Sequence, residues 1–245
     1  MDTLILLAAA SGTALATGLG AVPVFLLGGR AAALQPMLLG VAAGVMGVAS
    51  IAGLILPGLD EGSAWSVAAG CAAGVLFLLA VMRLLAVRER HVGQALRAGL
   101  RTSILVFVVL LAHSLPEGFA IGTAYASETA GLSLFVIVAI AIQNIPEGTS
   151  VAIPMAEAGF SRSRMFWAAV ATSAPQPAGA LIAYLLVERI EPLLPASFGF
   201  AAGAMLALVA IELLPRAFGG DKLGAAAGLA LGAMGMIALS AALGV

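Results

Sequence analysis

The chain has 245 residues, 62% of them hydrophobic and only 9% charged, with a net charge of −1 and a mean hydropathy of +1.14. About a quarter of a soluble domain is charged, so this composition excludes a water-soluble enzyme with a large core and points to a polytopic membrane protein. There is no basic cluster of the kind that binds nucleic acid, and the single cysteine, Cys71, excludes a disulfide framework and a thiolate metal cage.

Eight apolar runs reach the roughly 20 residues that span a bilayer. They cover 3–28, 35–57, 65–87, 102–126, 131–156, 163–187, 195–218 and 222–244. They predict an all-α fold of eight transmembrane helices forming one domain over residues 1–245. Connections are short except around Arg83 to Arg101. The opening Met1-Asp-Thr lacks the basic region of a cleaved signal, so the first run is expected to be retained as a helix.

Basic residues set the expected orientation, because Lys and Arg favour the cytoplasmic side. With the N-terminus outside, the cytoplasmic connections hold Arg30, then Arg83, Arg88, Arg90, Arg97 and Arg101, then Arg162 and Arg164, then Arg216 and Lys222. Only Arg189 stays outside, so both termini are expected to be extracytoplasmic.

The chain also repeats itself. Gly40-Val-Ala-Ala-Gly-Val-Met46 in the second run matches Gly199-Phe-Ala-Ala-Gly-Ala-Met205 in the seventh. Gly70-Cys-Ala-Ala-Gly74 in the third resembles Gly224-Ala-Ala-Ala-Gly228 in the eighth, although small-xxx-small spacing also arises from ordinary helix packing. Partners five helices apart run in opposite directions, which suggests a 3+2+3 inverted repeat with binding near the midplane.

The central pair carries the polar residues. Leu111-Ala-His-Ser-Leu-Pro-Glu-Gly118 is echoed by Ala141-Ile-Gln-Asn-Ile-Pro-Glu-Gly148. Residues four apart share a helix face, so His113 stands over Glu117 and Gln143 over Glu147. Pro116 and Pro146 each free a backbone carbonyl and kink their helix beside these polar pairs. A carboxylate at mid-membrane costs about 2.5–3.5 kcal/mol on insertion scales and needs a partner. One imidazole, one amide and two carboxylates facing each other make a cation site. Mixed N and O ligands without thiolate suit zinc and its neighbours, and they release an ion more readily than cysteines do.

Other polar residues have weaker grounds. Ser114 and Asn144 either line a second position or orient the first ligands. Gln176, between Pro175 and Pro177, sits on an interrupted sixth helix that turns either its amide or freed carbonyls toward the same cavity. Glu212, near the cytoplasmic end of the seventh helix, reads as an exit-side ligand or an interfacial charge. His91 reads as a loop histidine, and Met46, Met205 and Cys71 as packing.

These motifs resemble those of the ZIP (Zrt-, Irt-like protein) divalent metal transporters. The segments Ala16-Thr-Gly-Leu-Gly-Ala-Val-Pro23 and Gly40 to Met46 resemble the family's first two helices, and Gln143 resembles its GufA-like prokaryotic branch. The resemblance implies a primary metal site of His113, Glu117, Gln143 and Glu147 and uptake of zinc into the cytoplasm, with Cd2+, Fe2+, Mn2+ and Co2+ as possible substrates. It further implies a homodimer, an elevator-type movement of the central helices, a bacterial inner (plasma) membrane location amid lipid, and no organic cofactor. Ser114 and Gln176 depart from the usual asparagine and glutamate, which implies a weak or empty second metal position.

Two rival readings use the same residues. An intramembrane metal-dependent enzyme would need a His-Glu-x-x-His helix or its inverse, and neither occurs in a chain with two histidines. A carboxylate-lined ion channel would give flux that does not saturate at low metal concentration.

Overall fold

The computed structural model describes residues 2–92, 113–127 and 129–245, with side chains from residue 3 and omitting those of 85–92. Residues 102–112 of the fourth expected run therefore lie outside the described residues, as do Arg97, Arg101 and the side chains of Arg88, Arg90 and His91.

Every regular element described is helical. The chain runs through α1 (Asp2–Leu19), α2 (Ala21–Leu27), α3 (Ala31–Ser50), α4 (Leu56–Asp60) and α5 (Ala64–Val92). It continues through α6 (113–126), α7 (Leu132–Glu157), α8 (Arg162–Thr172), α9 (Pro175–Arg189), α10 (Leu194–Leu208), α11 (Leu214–Phe218) and α12 (Lys222–Leu243). Among the described residues, six stretches are long and apolar enough to cross a membrane. The first, Thr3–Asp60, contains the expected runs 3–28 and 35–57 together.

Two π-helical turns interrupt the apolar rods, Ile51–Ile55 between α3 and α4 and Val209–Leu213 between α10 and α11. Each is followed by Leu-Pro, whose ring cannot continue the regular ladder. The sixth run is also broken. α8 ends at Thr172, and α9 starts at Pro175, where a missing N–H costs nothing.

Packing brings the helices together in four close pairs, each resting on glycine. A Cβ on Gly20 or Gly148 would strike the backbone of α7 or α1. In the same way Gly118 meets Gln176 of α9, Gly40 meets Ala225 of α12, and Gly70 meets Ala196 of α10. Contact positions rise together along both chains of each pair, so each pair is parallel.

Gly70 meets the backbone of Ala196 and Phe200, Gly228 meets that of Met37 and Val41, and Gly224 meets the Asp221 carboxylate. Small residues recur every fourth position along α12, so sequence similarity alone does not choose the register.

The interior lies around α3, α7 and α10, with Met46, Phe135, Ile140, Phe198 and Met205 fully enclosed. α5 and α12 lie at the periphery and expose Trp65, Leu76, Leu231 and Ile237. Cys71 is half-buried against Gly203, which fits a packing role.

Candidate metal centre

The polar residues of the two Pro-Glu-Gly motifs are all inside. His113, Ser114, Glu117, Gln143, Asn144 and Glu147 are each no more than 2% exposed. Burial of so many hydrogen-bonding groups in an apolar bundle demands partners, and most find them.

Glu117 is the hub. Its Oε1 accepts from Gln143 Nε2 at 2.9 Å, and its Oε2 accepts from Gln176 Nε2 at 2.7 Å. The interruption between α8 and α9 aims the Gln176 side chain, rather than only a freed carbonyl, into the centre. Gln176 Oε1 in turn accepts from Thr13 Oγ1 at 2.9 Å and from Asn144 Nδ2 at 3.3 Å. Asn144 Nδ2 also donates to the Thr13 carbonyl at 2.7 Å, which ties α7 to α1. Asn144 and Gln176 are thus fully engaged in holding Glu117 and the first helix.

Ser114 Oγ donates to the Thr172 carbonyl at 2.8 Å, a group exposed by the break after α8. The Thr17 and Ser173 hydroxyls pair at 2.6 Å. The Thr149 hydroxyl lies 2.7 Å from the Gly20 carbonyl and 3.1 Å from that of Ile145, and Ser150 Oγ donates to the Pro146 carbonyl at 3.3 Å.

The remaining atoms have the opposite character. Six buried side-chain polar atoms among the described residues lack a hydrogen-bond partner, and five belong to His113, Gln143, Glu147 and Glu212. They are both imidazole nitrogens of His113, Gln143 Oε1, Glu147 Oε1 and Glu212 Oε2. Apart from the one proton a neutral imidazole carries, they are all acceptors, and they include no fixed cation. Glu147 is also close enough to Glu117 for the two carboxyl groups to interact. Buried carboxylates that face one another need a cation or a shared proton between them.

Glu212 belongs to this group. The π turn at Val209–Leu213 brings its Oε2 to 3.6 Å from His113 Nε2, and its Oε1 pairs with Arg216 Nη1 at 3.0 Å. Its distance from the motifs in sequence hid this neighbour.

Among the described residues, no three histidine, cysteine, aspartate or glutamate side chains are grouped so that they could hold a metal ion. Both Glu117 oxygens are held by amide N–H groups, and His113 faces Glu212. Ligation by Gln143 Oε1 together with Glu117 requires the Gln143 N–H to let go of Glu117.

Thr13 and Gln176 are the supports that sequence reasoning undervalued. Thr13 and Thr17 lie four apart on the first run, a polar stripe visible in the sequence, but nothing local says that it meets Gln176 and Ser173.

A family model described as ZIP zinc transporter matches residues 88–240. The zinc transporter GufA of Myxococcus xanthus is 32% identical over 241 residues, covering 94% of this chain and 95% of that protein. The zinc transporter ZIPB of Bordetella bronchiseptica is 36% identical over 248 aligned residues, covering 94% of this chain and 78% of that one. A putative zinc transporter of Arabidopsis thaliana is 37% identical over 216 residues, but the match spans only 33% of that longer protein.

Proposed function

The chain belongs to the ZIP family of zinc transporters, and on that premise we propose that it moves divalent metal ions, zinc foremost, across a membrane into the cytoplasm. The observation that carries this reading is the set of buried, unpartnered acceptors on His113, Gln143, Glu147 and Glu212 beside the Glu117 carboxylate. N and O donors of this kind bind zinc and can also bind Cd2+, Fe2+, Mn2+ and Co2+, with Mn2+ the weakest of the first-row ions. The relatives named above are transporters rather than enzymes.

The ion's primary ligands are His113, Glu117, Gln143 and Glu147. Gln176 holds Glu117, Asn144 braces Gln176, Ser114 caps the Thr172 carbonyl, and the three leave little charge for a second ion. Metal replaces the amide donors on Glu117: as it arrives, Gln143 exchanges its N–H contact for its carbonyl oxygen.

The scaffold is read as eight membrane helices in a 3+2+3 inverted repeat. Exchanging the first three helices for the last three, and the fourth for the fifth, converts the α1–α7 pair into α9–α6 and the α3–α12 pair into α10–α5. The two π turns fall within one residue of each other under that exchange, which supports the repeat. Parallel pairing also requires an even number of crossings between partners, as eight alternating helices provide. The basic residues support a cytoplasmic position for Arg216 and an outward position for both termini in a bacterial inner membrane. Movement of the central helices as an elevator and assembly as a homodimer in lipid complete the reading.

Zinc and cadmium uptake into proteoliposomes tests it, with wild type beside His113→Ala, Glu117→Ala and Glu147→Ala. Saturable uptake that collapses in all three is the expected result. Uptake that survives Glu147→Ala sinks the four-ligand site and moves the ion toward Glu212. Wild-type flux that fails to saturate favours a channel.

A further inference from the structure

One ion pair at the centre has no part in ligand support. Arg216 lies one turn beyond Glu212 and holds its Oε1 at 3.0 Å, while Oε2 faces His113 at 3.6 Å without a hydrogen bond. The Glu212 side chain is 13% exposed and that of Arg216 31%, so the pair is screened less than one on an open surface.

The second π turn offers an internal comparison. Ile51-Ala-Gly-Leu-Ile-Leu-Pro-Gly58 aligns with Val209-Ala-Ile-Glu-Leu-Leu-Pro-Arg216, each spanning a π turn and its following Leu-Pro. On the register that matches Gly40–Met46 with Gly199–Met205, Gly53 stands where the second copy has Glu212 and Pro57 where it has Arg216; on the register of the two Leu-Pro pairs, one residue over, the positions are Leu54 and Gly58, and none of the four is charged. The turn itself therefore folds without either charge. Both members of the pair are present in one copy and both are missing from the other, so the pair is a device added to one end of the centre.

We propose that Arg216 is a tethered counter-cation that occupies Glu212 while no metal is bound there, and that an ion must displace its guanidinium to gain that ligand. The inference rests on the transport reading above. A guanidinium keeps its charge at any physiological pH, so the competitor is always present. A monovalent ion brings no more charge to Glu212 than Arg216 already supplies, whereas a divalent ion brings twice as much. The pair thus discriminates against monovalent cations, and the returning guanidinium promotes release of the divalent one.

Equilibrium binding of Zn2+ and Cd2+ to the purified full chain, with uptake measured on the same preparations, tests this. Arg216→Gln should tighten binding about 1.5- to fivefold, the range an ion pair of this exposure supports, and should weaken discrimination against Na+ or K+. Arg216→Lys, which keeps the charge, should stay close to wild type. The double variant Glu212→Gln/Arg216→Gln should bind no more tightly than Glu212→Gln alone. Arg216→Met, which keeps the aliphatic stem, provides a second neutral variant if the glutamine protein is not monodisperse. Unchanged or weaker binding in a monodisperse neutral variant overturns the proposal, as does an equal gain in the Glu212→Gln background. A wild type that neither binds nor moves metal removes the transport reading itself, which is a separate result from a wild type that binds and an Arg216 variant that matches it.

Discussion

Gln176 Nε2 donates to Glu117 Oε2 at 2.7 Å across the gap between α9 and α6. A neutral amide, placed by a helix break, is one of the two donors on the most deeply buried carboxylate of the centre. Replacing it with leucine, similar in size but without hydrogen bonds, leaves a buried oxygen unpaired. Gln176→Leu should lower the unfolding free energy by about 1–3 kcal/mol, read as a lower thermal midpoint in detergent, and should reduce uptake. Unchanged stability would mean that Glu117 finds another donor.

Thr13 supports Gln176 from the far side, through one hydroxyl at 2.9 Å. Thr13→Val keeps the shape and removes the donor, at an expected stability cost of about 0.5–1.5 kcal/mol. Uptake should fall less than in Gln176→Leu, because Asn144 still donates to the Gln176 oxygen. Equal loss in the two variants would place Thr13 directly on the ion's path.

Gly148 follows Glu147, proposed above as a ligand, and packs against the Thr17 carbonyl of α1. A methyl group there has no space, and both neighbours are backbone. Gly148→Ala should destabilise the chain by about 1–3 kcal/mol through overpacking and lower uptake without changing a single ligand. Wild-type stability would show that α1 and α7 separate easily. That outcome would itself bear on any sliding movement.

Metal binding to imidazole and carboxylates competes with protons. Affinity should therefore fall as the pH is lowered, and zinc binding should release protons at any pH where the free ligands hold them. Titration calorimetry in buffers of different ionisation enthalpy measures that number. The sign follows from the proposed ligand set: if His113, Glu117 and Glu147 hold the metal, protons added to them displace it and never recruit it. Binding that strengthens in acid would exclude these residues as ligands.

Cys71 provides the control. It is half-buried on α5 against Gly203, away from the motif residues in sequence and in packing. Cys71→Ala should retain wild-type uptake. Loss of transport would require a thiol on the path that neither reading contains.

The amino-acid sequence by itself determined the all-helical membrane character, the expected span positions and the two motifs whose polar residues are buried together. Apolar runs and i, i+4 spacing are local properties, readable without knowing what packs against them. Only the tertiary structure decided which groups answer which. It set Gln176 and Gln143 on the two oxygens of Glu117, turned His113 toward Glu212, and added Thr13 of the first helix to the network. It also set Gly70 against Ala196 and Gly228 against Met37. The physical reason is the same in each case. Hydrogen bonds and glycine contacts between helices depend on register and rotation, and a repeating stripe of small residues leaves both undetermined until the helices meet.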